Sequence, residues 1–417
     1  MKIGYACLAL AVPGSDMKSC TLKNTAEDRL LSLAEHNLDS LEHLIDYNIQ
    51  NGILLFRISS DLIPFGSAVA KDLPWDRIFA AKLQAIGQKI QKAGMRVSMH
   101  PGQYTVLNSP EKSVAQRAVE DLLYHDKVLF SLGLGREHKI ILHVGGAYAD
   151  KSQAKARFLS RYRELSPAVR SRLVLENDDR IFHIGDVLET AAAEGIPVIF
   201  DTLHNSANPC DPLVSDADWI RRCSSTWLEE DGPQKIHYSQ QHPDRKPGAH
   251  SGSVRIDSFL KFYLELTGMD IDIMLEVKDK NLSALKCINT VSNRGMSALE
   301  TEWGRYKYSV LEHSPALYQD IRTLLKDKDK YPALEMYRMV EAALSSPLLP
   351  GSAVNAAQHV WGYFKTKASE SEQTRFTSSL NKFAAGESDL QPVKNLLNRL
   401  AAKYNENYLL NSYYFSI

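Results

Sequence analysis

The chain has 417 residues, more than one ordinary barrel domain needs, and is 44% apolar and 24% charged. That is the balance of a globular protein with a large core, which excludes a disordered or fibrous chain. Its 49 Lys and Arg against 50 Asp and Glu leave a formal charge of −1. No whole-molecule basic field announces a nucleic acid, so a polyanion must be held by local basic groups and bound cations.

In chain order, residues 2–7 read as a first strand. The rival reading is the apolar stretch of a signal peptide, but Lys2 is its only leading charge and it holds Gly4 and Tyr5. Residues 26–49 (AEDRLLSLAEHNLDSLEHLIDYNI) place apolar side chains at helical spacing, as do residues 76–93 (DRIFAAKLQAIGQKIQKA). Strands are expected at 53–58, 96–99, 139–142, 173–175, 197–200, 235–238 and 273–277. Gly52, Gly94 and Gly195 stand where helices end and a residue with positive φ belongs.

Eight strands alternating with helices give an α/β chain with right-handed crossovers, and hence a closed (β/α)8 TIM barrel. From Leu299 the periodicity is helical, with no strand. Residues 1–298 are therefore read as the barrel and 299–417 as an additional C-terminal all-α domain. The tail aromatics Trp303, Tyr306, Tyr308, Trp361, Tyr363, Tyr413 and Tyr414 are expected mostly in its core. His313 and His359, with no carboxylates nearby in sequence, are weak metal candidates. Cys7, Cys20, Cys210, Cys223 and Cys287 are scattered without a C-x-x-C pair. That argues against thiolate zinc and for a reducing, cytoplasmic compartment. No run is long enough to span a bilayer.

The apolar runs end in candidate metal ligands. VSMH ends at His100, IILH at His143, LVLE at Glu176 and IDIMLE at Glu276. VIFDTLH carries Asp201 and His204, KIH carries Lys235 and His237, and HPDRKPGAH ends at His250. Ligands at the carboxyl ends of buried strands are how a (β/α)8 barrel builds its site, and imidazole with carboxylate suits zinc or manganese. Lys235 and His237 lie two apart and share a strand face. Taken singly, each His is as readily a hydrogen-bonded core residue and each Glu a salt-bridge partner; the shared placement favours a multinuclear metalloenzyme. His36, His43, His125 and His138 fall on helices or loops and are expected at the surface, while His183 and His242 remain unassigned. In HPGQYTVLNSP, Pro101 and Gly102 make a turn that sets Gln103 and Tyr104 at its tip. An amide beside a stacking ring suits insertion into a duplex; the alternative is a Tyr that packs down. Arg245 and Lys246 are candidate phosphate contacts.

The ordered set FRISSDLIPFGS, HPGQY, LHVGG, LENDD, FDTLHN, KIHYSQQ, HSGS and LEVKDK resembles the UV damage endonuclease family over roughly residues 1–281. DT-x-H alone is shared with the related endonuclease IV fold. The resemblance implies up to three divalent metals, commonly manganese, and hydrolysis immediately 5′ to a lesion in double-stranded DNA, leaving a 3′-hydroxyl. It implies that His100, His143 and Glu176 hold one ion, and that Glu176 bridges to a second with Asp201, His237 and Glu276. His204 and His250 help hold a third. Glu176, Lys235 and His237 would be catalytic, with Lys235 matching a lysine that can be carboxylated. Gln103 and Tyr104 match a lesion-probing pair, and Tyr5 an aromatic lining the same site. A monomer is expected.

Two positions depart from the pattern: Ala68 stands where the family usually has His, and Ala9 where some members have a polar residue. The tail resembles a helical domain of unknown function. Two rivals remain. One is a sugar isomerase or epimerase of the xylose-isomerase-like barrels. The other is a damage-binding scaffold with a decayed site.

Overall fold

The computed structural model describes all 417 residues. Eight strands, β1 (Ile3–Ala6), β2 (Leu55–Ile58), β3 (Arg96–Met99), β4 (Lys139–His143), β5 (Leu173–Glu176), β6 (Val198–Asp201), β7 (Gln234–Tyr238) and β8 (Ile271–Leu275), close into a barrel. Each pairs in parallel with the next, and β8 returns to β1 through Gly4 and Met274. The strands are apolar on the face toward the helices, and alternation turns every second residue into the barrel. At Gly4 a Cβ would collide with the Leu55 carbonyl, so only glycine lets β1 and β2 close there.

The helices follow the expected pattern with one difference. The first runs Glu27–Gln50. The second is broken: Trp75–Ile78 and Ala80–Lys92 meet at Phe79, whose φ of −102° and ψ of 19° leave the helical region. The apolar positions stay in phase across the break, so periodicity does not register it. Gly52, Gly94 and Gly195 have φ of 67°, 63° and 65°, as helix-ending glycines require.

The barrel interior is layered. At its amino end Arg96 Nη1 meets Asp272 Oδ2 at 3.1 Å, and Lys139 Nζ meets Asp231 Oδ1 at 2.5 Å. Above these lie two apolar clusters, Ala6, Leu55 and Met274, and Ile141, Val174 and Ile199, with Lys235 at the same level on β7. The next inward residues, at the carboxyl ends, are polar.

A second compact unit gathers Lys286–Ile417 together with Leu10–Pro13 and Arg255–Lys261. Its helices enclose a core that includes Tyr308, Phe364, Val393, Leu397 and Tyr414. The expected division at 298/299 falls inside the Met296–His313 helix; the compact units divide after Leu285. The reason is local. Lys286 Nζ bonds Glu341 Oε1 at 2.7 Å and Asn289 Nδ2 bonds the Tyr337 hydroxyl at 2.8 Å, so the end of the last barrel-side helix already belongs with the tail. Tyr306, Tyr308, Tyr413 and Tyr414 are buried, and Trp361 stacks on Phe376 at 4.3 Å; Trp303 and Tyr363 are half-buried. His313 bonds the Ser346 carbonyl through Nδ1.

Candidate metal centre

Strand pairing brings the candidate ligands together in neighbouring pairs. His143 on β4 lies beside Glu176 on β5, and Asp201 on β6 beside His237 on β7. Two groups result whose ligand atoms all lie within 4.8 Å of one another: His100, His143 and Glu176, and Glu176, Asp201, His237 and Glu276. Glu176 belongs to both. His204 and His250 extend the cluster, with ring centroids 5.7 Å from His143 to His204 and 6.4 Å from His204 to His250.

Four of the five histidines are oriented alike. Nδ1 of His100 faces the Pro101 carbonyl at 2.9 Å, and that of His143 the Glu176 carbonyl at 3.4 Å. Nδ1 of His204 faces the Asn177 carbonyl at 2.8 Å, and that of His250 the Glu276 carbonyl at 2.6 Å. A carbonyl only accepts, so each Nδ1 carries a hydrogen and Nε2 is the atom left to meet an ion once it has given up any proton. This is how ligating histidines are held. His100 Nε2 then lies 3.0 Å, and His143 Nε2 3.6 Å, from Glu176 Oε2. Two lone pairs at that range repel, so either a proton or a metal cation belongs between them. Asp201 Oδ1 caps the His204 backbone N–H at 2.7 Å, while its buried Oδ2 has no hydrogen-bond partner. The residues therefore fit divalent ions.

The electrostatics agree. Burial drives the Asp201 carboxyl above its ordinary value, with Glu176 and Glu276 adding to it against His204. Burial opposes ionisation of Glu176 too, but His237, His143 and His100 hold it well below the usual range. His204 is pushed up to about 9: burial lowers it, and the Asp201 and Glu176 carboxylates prevail. Bound cations would replace the protons that these carboxylates otherwise attract.

Two contributors escaped the sequence reading. Arg57 on β2 points inward and bonds both Glu276 Oε1 and, at 3.1 Å, His237 Nε2. The two-residue alternation that joined Lys235 to His237 would have found it. Asn177, after Glu176, clasps the Asp201 backbone at both N–H (2.8 Å) and C=O (3.1 Å), fixing that candidate ligand from the neighbouring strand. Lys235 is fully buried, and its Nζ has no hydrogen-bond partner. Burial depresses it far below the ordinary lysine value, with Arg96 adding to the effect.

The other expected residues divide. Tyr104 is 83% exposed and Gln103 is exposed beside it, so the ring does not pack down. Arg245 and Lys246 are exposed in the loop closed by the Gln241–His250 bridge. Tyr5 is a correction: it turns out of the barrel, fully buried, with its hydroxyl on Asn48 Oδ1 at 2.9 Å and its ring against Phe56. The parity that points Gly4 and Ala6 inward points Tyr5 at the helix.

His125 and His138 are also corrected, being buried rather than superficial. His125 spans the Asp121 carbonyl (2.6 Å) and Ser60 Oγ (2.9 Å), and His138 Nδ1 accepts from Val97 N at 3.0 Å. His183 caps the Ile184–Ala192 helix, and His242 Nδ1 accepts from Asp244 N. Ala68 lies exposed on the turn after β2.

The model of the family UV-endonuclease UvdE matches residues 1–303, and that of a protein of unknown function, DUF1722, matches residues 307–417. The chain is 38% identical to the UV DNA damage endonuclease of Clostridium perfringens over the whole of both chains. It is 33% identical to that of Bacillus velezensis over 66% of this chain and 87% of that one. The crystal structure of SacUVDE superposes with a TM-score of 0.66 at 36% identity, covering 70% of this chain and 98% of that one. With its barrel, its ordered motifs and a relative matched from end to end, the chain belongs to the UV-endonuclease UvdE family.

Proposed function

We propose that this protein is a metal-dependent UV DNA damage endonuclease. It would incise double-stranded DNA immediately 5′ to photoproducts and other lesions, leaving a 3′-hydroxyl. The observation that carries this reading is the pair of ligand groups sharing Glu176. His100, His143 and Glu176 would hold one ion, and Glu176, Asp201, His237 and Glu276 a second. His204 and His250 would help hold a third. Manganese is the ion proposed, with zinc and magnesium as alternatives that such a ligand set also accepts. Such ions supply hydroxide near neutral pH and neutralise charge on the attacking and leaving oxygens.

The chain's own residues do the rest. Glu176 sets the separation between the two groups, and its negative charge is held by the surrounding imidazoles. Backbone carbonyls fix the four histidine rings before any ion arrives. Gln103 and Tyr104 reach from the mouth of the barrel to probe the lesion, with Arg245 and Lys246 as phosphate contacts. Lys235 is proposed to be carboxylated: its buried amine, which burial shifts toward the neutral form, would add carbon dioxide and give up one N–H proton, and the resulting carbamate would be an anion near Arg96, Arg57 and Lys139, with Asp272 also close.

Incubating UV-irradiated and intact supercoiled plasmid with the protein and Mn²⁺ tests this. Nicking of the irradiated plasmid alone, abolished by chelation, is expected. Equal nicking of both plasmids, or full activity after chelation, would refute it. A ketose isomerase needs one compact metal site; the additional histidines, His100 and His143 with Nε2 turned toward Glu176 and His204 and His250 beside them, favour the nuclease.

A further inference from the structure

His237 is the exception among the five histidines, and Arg57 is the reason. Its Nε2 faces Arg57 Nη2 at 3.1 Å. A guanidinium only donates, so Nε2 accepts and the hydrogen sits on Nδ1. That Nδ1 lies 2.6 Å from Glu176 Oε1 and 3.1 Å from Glu276 Oε1, inside the second ligand group. The atom aimed at the metal position therefore carries a hydrogen. The same Arg57 also holds Glu276 Oε1. Its side chain is 9% exposed, so little water screens it; it is the leading positive charge on Glu276, and the Glu176 carboxylate acts on it as well.

Ligation through Nδ1 requires the hydrogen to move to Nε2, with no net proton released. Nε2–H would then face the Arg57 N–H, donor against donor. Ligation through Nε2 instead would need the space Arg57 occupies. Either way the guanidinium must leave. We propose that Arg57 is a stand-in cation for the ion held by Glu176, Asp201, His237 and Glu276, and that loading this position proceeds by exchange, with Arg57 turning out of the ligand set as His237 changes tautomer. The inference rests on the metal-dependent reading above. It adds that metal-free protein is held ready by an internal cation rather than left with unscreened carboxylates.

The test is a Mn²⁺ titration of chelator-stripped full-length protein, with bound ion read by loss of the free Mn²⁺ resonance signal. Arg57→Gln should fill this position at about tenfold lower free Mn²⁺ than wild type, since no internal cation competes. Stripped Arg57→Gln should melt below stripped wild type and gain more from Mn²⁺. Binding equal to or weaker than wild type would overturn the proposal, leaving Arg57 as an orienter of Glu276. Should Arg57→Gln not fold, crystals of stripped and Mn²⁺-loaded wild type decide: the guanidinium leaves Glu276 and His237 on loading, or the proposal fails. Wild type that takes up no ion defeats the metal reading as well; wild type that loads while Arg57→Gln loads no tighter defeats this inference alone.

Discussion

Glu176 is the residue on which the site turns. It is fully buried among His100, His143 and His237 and shared between both ligand groups. Glu176→Gln keeps the shape and removes the charge, so incision should fall by about a hundredfold or more, with bound Mn²⁺ lost in the same preparation. A variant that stays folded and fully loaded would show that Glu176 does not ligate. His204 makes a prediction in pH. In metal-free protein its value of about 9 lies above the roughly 6.5 expected of unfolded chain. Its contribution to stability is complete below about pH 6.5 and disappears as pH rises through about 9. Melting of stripped wild type against His204→Gln should show a gap that closes across that window; a constant gap would refute the assignment. Ala68 is a third case. If the imidazole usual at this position assists at the phosphate, Ala68→His should raise incision at saturating DNA. A hundredfold gain would correspond to about 2.7 kcal/mol, and an unchanged rate would show that this chain works without it.

At the scale of elements, the loop after β3 would join the proposed chemistry to the proposed recognition. His100 ends the strand, Pro101 supplies the carbonyl that orients its ring, and Gln103 and Tyr104 follow at the tip. The loop's far end is anchored by Thr105 Oγ1 on Asp121 Oδ2 at 2.5 Å. Ser60 Oγ, itself held by His125, bonds the His100 carbonyl at 2.9 Å. A firmly held base thus carries an exposed tip. Tyr104→Ala should weaken binding to damaged duplex by about 1–3 kcal/mol, the worth of one stacked base, with bound metal unchanged. Equal loss on damaged and intact duplex would make the loop a general backbone contact. The eight strands and the glycine helix ends were legible because alternation and φ requirements are local. The break at Phe79 was not, since the apolar phase continues through it. The places of His125 and His138 were missed because a helical or loop histidine gives no sign in sequence of a buried acceptor or donor waiting for it.

For the whole molecule, every proposed ligand lies before residue 277. SacUVDE, matched over 98% of its length, covers 70% of this chain. A chain ended at Ser292, before the Met296–His313 helix, should therefore still bind Mn²⁺ and nick irradiated plasmid. It should also melt lower, because Lys286, Asn289 and the 255–261 segment lose the partners that bury them, Glu341 among these. A soluble, metal-loaded but inactive product would place the helical unit in the catalytic machinery. What the sequence alone determined is set by short-range rules: strand and helix periods, the parity joining Lys235 to His237, and the ligand types at successive strand ends. Only the tertiary structure decided which strands lie side by side, and with that the pairing of His143 with Glu176 and of Asp201 with His237. It also decided that Tyr5 faces a helix, that Arg57 stands among the carboxylates, and that the helical unit begins at Lys286. Each depends on groups that barrel closure or helix packing brings together from distant parts of the chain, and no local pattern records such a neighbour.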